Sequence, residues 1–309
     1  ALMVRGGKIT IKDAIDAWPA LFDASHNIQA EVQDLQPQES VFLHYCPLHA
    51  FYEIMDSGRL RFTSARSTND PSEFNFGLDV VRAALKEPEI DLRPNELKWF
   101  EEALTSLDSR EFRAFVFCMS EAKEDEANVG ELSQWRLYGA DGRGVALVFD
   151  VSLPQKMLML KRATSVPRKV LYGATAGKKL VRAELHRFIS AVRNAPPEAR
   201  EHAKINPIGM AGYIRNVVFW LPSVIKHQAY RHEREVRLVR GDIGSESGNP
   251  LTFFERSGIR RPAIELQLAE EVSEPSPAHR DSPISHIVIG PSGDQGAIAD
   301  SIKYFLEAR

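Results

Sequence analysis

Val41-Phe42-Leu43-His44-Tyr45-Cys46 is a six-residue apolar and aromatic run stopped by Pro47. Length, β-branched and aromatic content and the proline that ends it predict a strand. Leu48 to Asp56 follows with helical apolar spacing and stops at Ser57-Gly58, where glycine supplies a left-handed cap. Leu60-Arg61-Phe62-Thr63-Ser64 alternates and predicts a second strand. Asn69-Asp70-Pro71-Ser72-Glu73 reads as a turn or helix start, because Asx side chains mimic backbone turns and proline suits a first helical position.

Further along, two helices are expected between Gly77 and Ser109, then a strongly apolar strand from Phe112 to Ser120. The acidic run Glu121 to Glu126 predicts an exposed loop. A short helix carrying Gln134, Trp135 and Tyr138 leads through a glycine-rich turn into the strand Val145 to Asp150. Residues 152–172 predict a hairpin, and 176–225 a long helical region interrupted around Pro196-Pro197 and Pro207. Glu233 to Arg240 alternates like a strand, two weaker strands lie near 251–268, and Ile284 to Gly290 forms a last strand before a closing helix over 297–306. Strands and helices mix without regular alternation, which predicts an α+β fold around a curved, mixed or antiparallel sheet flanked by helices. Residues 1–39 read as an amphipathic helical extension, and 40–309 as one large α+β domain.

Composition narrows the function classes. Apolar residues make up 43% and charged residues 26%, the balance of a globular chain. A net charge of -3 gives no general attraction to nucleic acid or an anionic membrane. Arg231, Arg234, Arg237 and Arg240 form either a local basic patch or simply a solvated charged face. No stretch approaches the roughly 20 apolar residues of a spanning helix, so a cytoplasmic protein is expected. The two cysteines, Cys46 and Cys118, lie in strand-like runs and read as reduced core thiols, too few for a zinc cluster.

Several residues carry candidate chemistry. His44 is costly in an apolar strand unless its ring nitrogens find partners; it serves as a base or ribose ligand, or as a core histidine bonded to a carbonyl. Alternation sets His44 with Phe42 and Cys46 on one face and Tyr45 on the other. Cys46 as a nucleophile with His44 as its base is a further option. Ser64 is a cofactor contact or a strand-end cap, and Asn69, Asp70 and Glu73 bind a cation or ribose or serve as helix caps. Glu233 and Glu235 fall on one predicted strand face with Arg237 next along it, so one carboxylate is tuned while the other stays ionised, or all three form a surface charge ladder. Trp135 and Tyr138 share a helix face, for stacking on a ring or for core packing.

These residues also carry a resemblance. His44-Tyr45, Ser57-Gly58-x-Leu60, Asn69-Asp70-Pro71-x-Glu73, Cys118-x-Ser120, Trp135-x-x-Tyr138, Gly144 with Phe149, and Tyr230-x-x-Glu233-x-Glu235-x-Arg237 together resemble the bacterial domain of unknown function 2971, from roughly 41 to 290. The order His44, Ser64, then Glu233 or Glu235 is a distant likeness to ADP-ribosyltransferases. That likeness implies an ADP-ribosyltransferase-like core, NAD as a substrate, positioned by His44 and Ser64, and Glu235 or Glu233 as the acid. Tyr45, Asn69, Asp70, Glu73, Trp135, Tyr138 and Arg237 are the further candidate cofactor-binding residues. It implies transfer to an unidentified protein or nucleic acid, or NAD hydrolysis, in a toxin or defence effector. Two other readings stand beside it: a non-catalytic module that binds a nucleotide or partner, and a metal-dependent hydrolase or nuclease built from His44, Asp70, Glu73 and Glu233.

Overall fold

The structure is a computed structural model and describes residues 3–4, 7–8, 41–68, 72–87, 91–108, 113–123, 125–150, 167–195, 197, 200, 214, 219–241, 251–256, 258–267 and 284–308. The chain gathers into two compact units. One comprises Ala1–Leu35, Thr68–Ala114 and Leu171–Gln228; the other comprises Gln36–Ser67, Phe115–Val170 and Ala229–Arg309.

The first unit holds a two-stranded antiparallel pair, β1 (Met3–Val4) and β2 (Gly7–Lys8). A helical extension was expected over this region. The expected helix from Ile11 to residue 39 lies outside the described residues. Three longer helices, Ser72–Leu85, Pro94–Asp108 and Ala174–Asn194, complete the unit with the parallel pair Leu171–Tyr172 and Ile225–Lys226. Phe100 and Phe188 meet edge to face at 6.1 Å, and Arg193 binds Glu96 at 2.7 Å. Glu73 and Lys226, both buried, form an ion pair at 3.4 Å.

The second unit is built on a nine-stranded sheet. We number its strands on from the first pair: β3 (Val41–Cys46), β4 (Arg59–Ser64), β5 (Ala114–Ala122, whose first residue belongs to the other unit), β6 (Val145–Asp150), β7 (Arg168–Lys169), β8 (Glu235–Gly241), β9 (Thr252–Arg256), β10 (Ile259–Gln267) and β11 (Ile284–Ile289). The order is β9-β10-β4-β5-β3-β6-β11, with β8 pairing β5 and β7 off this path. Each pairing with a described register is antiparallel. The chain thus adopts the expected α+β class with an antiparallel sheet.

The period of two decides which side chains each face buries. On one face Phe42, Cys46, Val145, Leu147 and Phe149 join Phe51 and Ile54 of the helix α1 (Leu48–Ser57) and Ile302 of the helix α2 (Gln295–Glu307). On the other, Leu43, Tyr45, Ala146 and Val148 join Trp135. Burial on both faces explains why β3 and β6 read as continuous apolar runs. The helix α1 ends at Gly58, whose φ of 62° is left-handed and whose N–H donates to the Ile54 carbonyl at 2.9 Å. Asp294 caps α2 through the Ala297 N–H at 3.1 Å.

The expected hairpin over 152–172 differs in its described part. Arg168 and Lys169 pair with β8, and Leu171 and Tyr172 with Ile225 and Lys226, so both partners are distant in sequence. Residues 151–166 lie outside the described residues.

Candidate functional site

Three of the sequence candidates settle into structural roles. His44 Nδ1 donates to the Cys118 carbonyl at 2.9 Å, and its ring stacks on Phe117 at 4.4 Å. This is the core-histidine alternative. Burial of the ring holds its pKa below the ordinary value, against a smaller opposing effect of the Cys118 bond. Cys46 on the same strand face is buried, and burial pushes its thiol to about 12, so it carries no thiolate at neutral pH. Trp135 is 1% exposed and donates Nε1–H to the Val129 carbonyl at 3.0 Å, so it is a core residue.

The carboxylate pair departs from the predicted ladder. Glu233 closes a 3-10 turn, β8 starts only at Glu235, and between them Arg234 adopts φ 44°. A left-handed non-glycine residue interrupts the alternation, so Glu233 and Glu235 do not belong to one strand face. Arg234 is held there by its carbonyl, which accepts from the Glu121 N–H at 2.8 Å. Glu235 instead joins Arg237, whose Nε and Nη2 reach its two oxygens at 2.9 Å each, with both side chains buried. Arg237 and Arg240 are buried as well, so the four arginines make neither a surface basic patch nor a solvated face.

Glu233 goes elsewhere. It is buried and contributes to the wall of a cavity of about 80 Å³ lying wholly within the second unit. Tyr45 lines the same cavity from β3, with Ser120, Glu121 and Ala122 from the end of β5. Glu126, Gly130 and Glu131 come from the loop that follows, Gln134 from the short helix Leu132–Leu137, and His232 and Arg234 flank Glu233.

Local chemistry fixes this wall. The Tyr45 hydroxyl accepts from the Glu131 N–H at 2.8 Å, leaving its own proton to donate, and the ring meets Trp135 edge-on at 4.8 Å. Burial pushes the Tyr45 phenol to about 12, so it stays protonated at neutral pH. Glu121 is 2% exposed rather than part of an exposed loop, because Lys169 Nζ lies 2.9 Å from its carboxylate and offsets the buried charge. Arg234 binds Glu126 at 2.8 Å and, through that bond, holds the Glu126 carboxyl below its usual range. Glu131 caps the short helix through the Ser133 N–H at 3.3 Å. Gln134, 3% exposed, presents an Nε2 with no hydrogen-bond partner among the described residues.

Residues 134–238 match the family model described as a protein of unknown function, DUF2971. The resemblance stated from the sequence is borne out over that span. No curated protein and no solved structure matches the chain, and the ADP-ribosyltransferase likeness finds no counterpart in these comparisons. The DUF2971 match takes in Gln134, Glu233 and Arg234 of the cavity, together with the Glu235–Arg237 pair.

The remaining candidates are dispersed. Ser64 is buried at the end of β4, opposite Phe115. Tyr138 follows the short helix and packs against the Leu43–Trp135 cluster. Glu73 lies in the other unit with Lys226, while Asn69 and Asp70 fall outside the described residues. Among the described residues no group of three or more His, Cys, Asp or Glu side chains is arranged to hold a metal ion, and no helix is long and apolar enough to cross a membrane. Sequence reading missed Gln134, Glu121, Glu126, Glu131 and Arg234 as site residues. The one signal available was that acidic side chains crowd the thirteen positions before Gln134.

Proposed function

We propose that the protein is a ligand-binding module whose site is the cavity walled by Tyr45, Gln134 and Glu233. The observation that carries this reading is the buried Gln134 amide, whose Nε2 lacks a hydrogen-bond partner among the described residues. An unsatisfied buried donor costs about 1–3 kcal/mol, a cost that an incoming acceptor removes. The binding reading needs no activated group; Cys46 is held as a thiol, and His44 is tied through Nδ1 to a backbone carbonyl.

Thermal stabilisation by a panel of small amines, sugars and nucleotides, NAD included, tests it. A ligand at about 100 times its Kd adds roughly 2.7 kcal/mol. Stabilisation by at least one compound, diminished in Gln134→Met, is the expected result. A panel in which no shift depends on Gln134 sinks the reading.

A second reading keeps NAD as the substrate of a transferase or glycohydrolase, in a toxin or defence setting. What favours it is the buried position of Glu233 in a cavity wall, where a carboxylate stabilises the positive charge that develops as nicotinamide departs. The acid in this reading is Glu233 rather than Glu235, whose two oxygens are taken up by Arg237. Nicotinamide release that survives in Glu235→Gln, when that variant is folded, and is lost in Glu233→Gln is its expected signature; no release by the wild type removes it.

A further inference from the structure

We infer that the cavity takes a primary ammonium group with a carbonyl carbon two bonds away, the end that a polypeptide N-terminus or an aminoacyl amide presents. The inference rests on the binding-module reading and specifies its ligand.

Charge decides the first half. The residues of the wall include four glutamates, Glu121, Glu126, Glu131 and Glu233, together with Arg234 and His232. Lys169 offsets Glu121 and Arg234 offsets Glu126. Glu131 meets no cation within ion-pair distance among the described residues; its Oε1 accepts only the Ser133 N–H. The Glu131 carboxylate therefore disfavours an anionic end such as a phosphate and favours a cation.

The amide decides the second half. Gln134 stands three residues after Glu131, and its buried Nε2 lacks an acceptor among the described residues. An ammonium has donors only and leaves that amide unsatisfied; an ammonium beside a carbonyl serves both groups at once. The Tyr45 hydroxyl, already accepting from Glu131, has one proton left for the same carbonyl. Size agrees: a volume of about 80 Å³ holds on the order of five to eight water-sized groups, the scale of an aminoacyl end. Val129 and Leu132, which flank Gly130 and Glu131, are 70% and 54% exposed and offer apolar surface to whatever follows that end.

Glycinamide, n-propylammonium, N-acetylglycinamide and D-ribose, titrated by ligand-observed NMR into the full chain, separate the alternatives. Glycinamide is expected to bind at least about fivefold more tightly than propylammonium, which lacks the carbonyl, and N-acetylglycinamide, which lacks the charge. Glu131→Gln, at an exposed position and able to keep the cap, is expected to weaken glycinamide about tenfold, and Gln134→Met by a similar factor. Leu-Gly-Gly against leucinamide then distinguishes a polypeptide end from a free aminoacyl amide. Equal binding of glycinamide and either truncated probe overturns the inference, as does D-ribose or NAD binding through Gln134 in their place; both outcomes leave the binding module standing. If no compound responds to Gln134→Met, the inference and the module fall together.

Discussion

Arg237 grips Glu235 in a two-pronged ion pair, Nε to Oε1 and Nη2 to Oε2 at 2.9 Å each, with both residues less than a tenth exposed. Such a pair punishes loss of one member more than it rewards the pair, because the survivor is a desolvated charge. Arg237→Met is expected to cost about 3–5 kcal/mol in urea unfolding. Arg237→Lys should recover only part of this, since one ammonium cannot reproduce two parallel bonds.

The His44 environment predicts an acid-sensitive fold. Its pKa is depressed in the folded state, so the unfolded chain takes up a proton first as pH falls. Stability is then fully present above about 6.5, the ordinary histidine value, and is lost as pH falls from there through the depressed value. His44→Phe should flatten the stability profile in this window, as followed by thermal unfolding between pH 7 and pH 4. A profile as steep as that of the wild type would assign the acid sensitivity to other groups.

The two thiols should part company under alkylation. Cys118 is only partly buried, whereas Cys46 is buried with its thiol pushed to about 12. Iodoacetamide at pH 8 is expected to label Cys118 and spare Cys46 in the native chain, with both labelled after denaturation. Mass spectrometry of the peptides reads this directly.

Gly77 lies where the helix Ser72–Leu85 passes against the backbone of Pro222, and a Cβ there would collide with the Pro222 carbonyl. Gly77→Ala gains helix propensity of about 1 kcal/mol but must displace backbone. A net loss of about 1–3 kcal/mol is expected from overpacking, measured by denaturant unfolding. A gain in stability would show that the backbone yields at little cost.

Much of the fold was legible because its signals are local. The run 41–46, the helix after Pro47 with its Gly58 cap, the strand 145–150 and the closing helix after Asp294 each follow from patterning and caps within a dozen residues. The even-odd division of β3, with Phe42 and Cys46 on one face and Leu43 and Tyr45 on the other, followed in the same way. The hairpin over 152–172 failed in its described part because strand pairing is a choice of partner, and Arg168 and Lys169 chose a strand nearly seventy residues away.

The candidate site was much less legible. Arg234 carries no sequence mark of a left-handed residue, as a glycine or asparagine would; the Glu121 N–H, more than a hundred residues away, helps to hold it there. That one backbone conformation removed Glu233 from the strand and left Glu235 to Arg237. Glu121 read as a loop residue since charge predicts exposure, and a lysine brought alongside by β7 helps to make its burial tolerable. Sequence by itself determined the α+β class, the main strands and helices, and the likeness to DUF2971, read over roughly 41–290 and matched over 134–238, because periodicity, capping and motif order are written along the chain. Tertiary structure alone decided which carboxylates line a cavity, which are neutralised and which buried amide has no partner among the described residues, because charge compensation and hydrogen bonding depend on distances between side chains that the sequence leaves far apart.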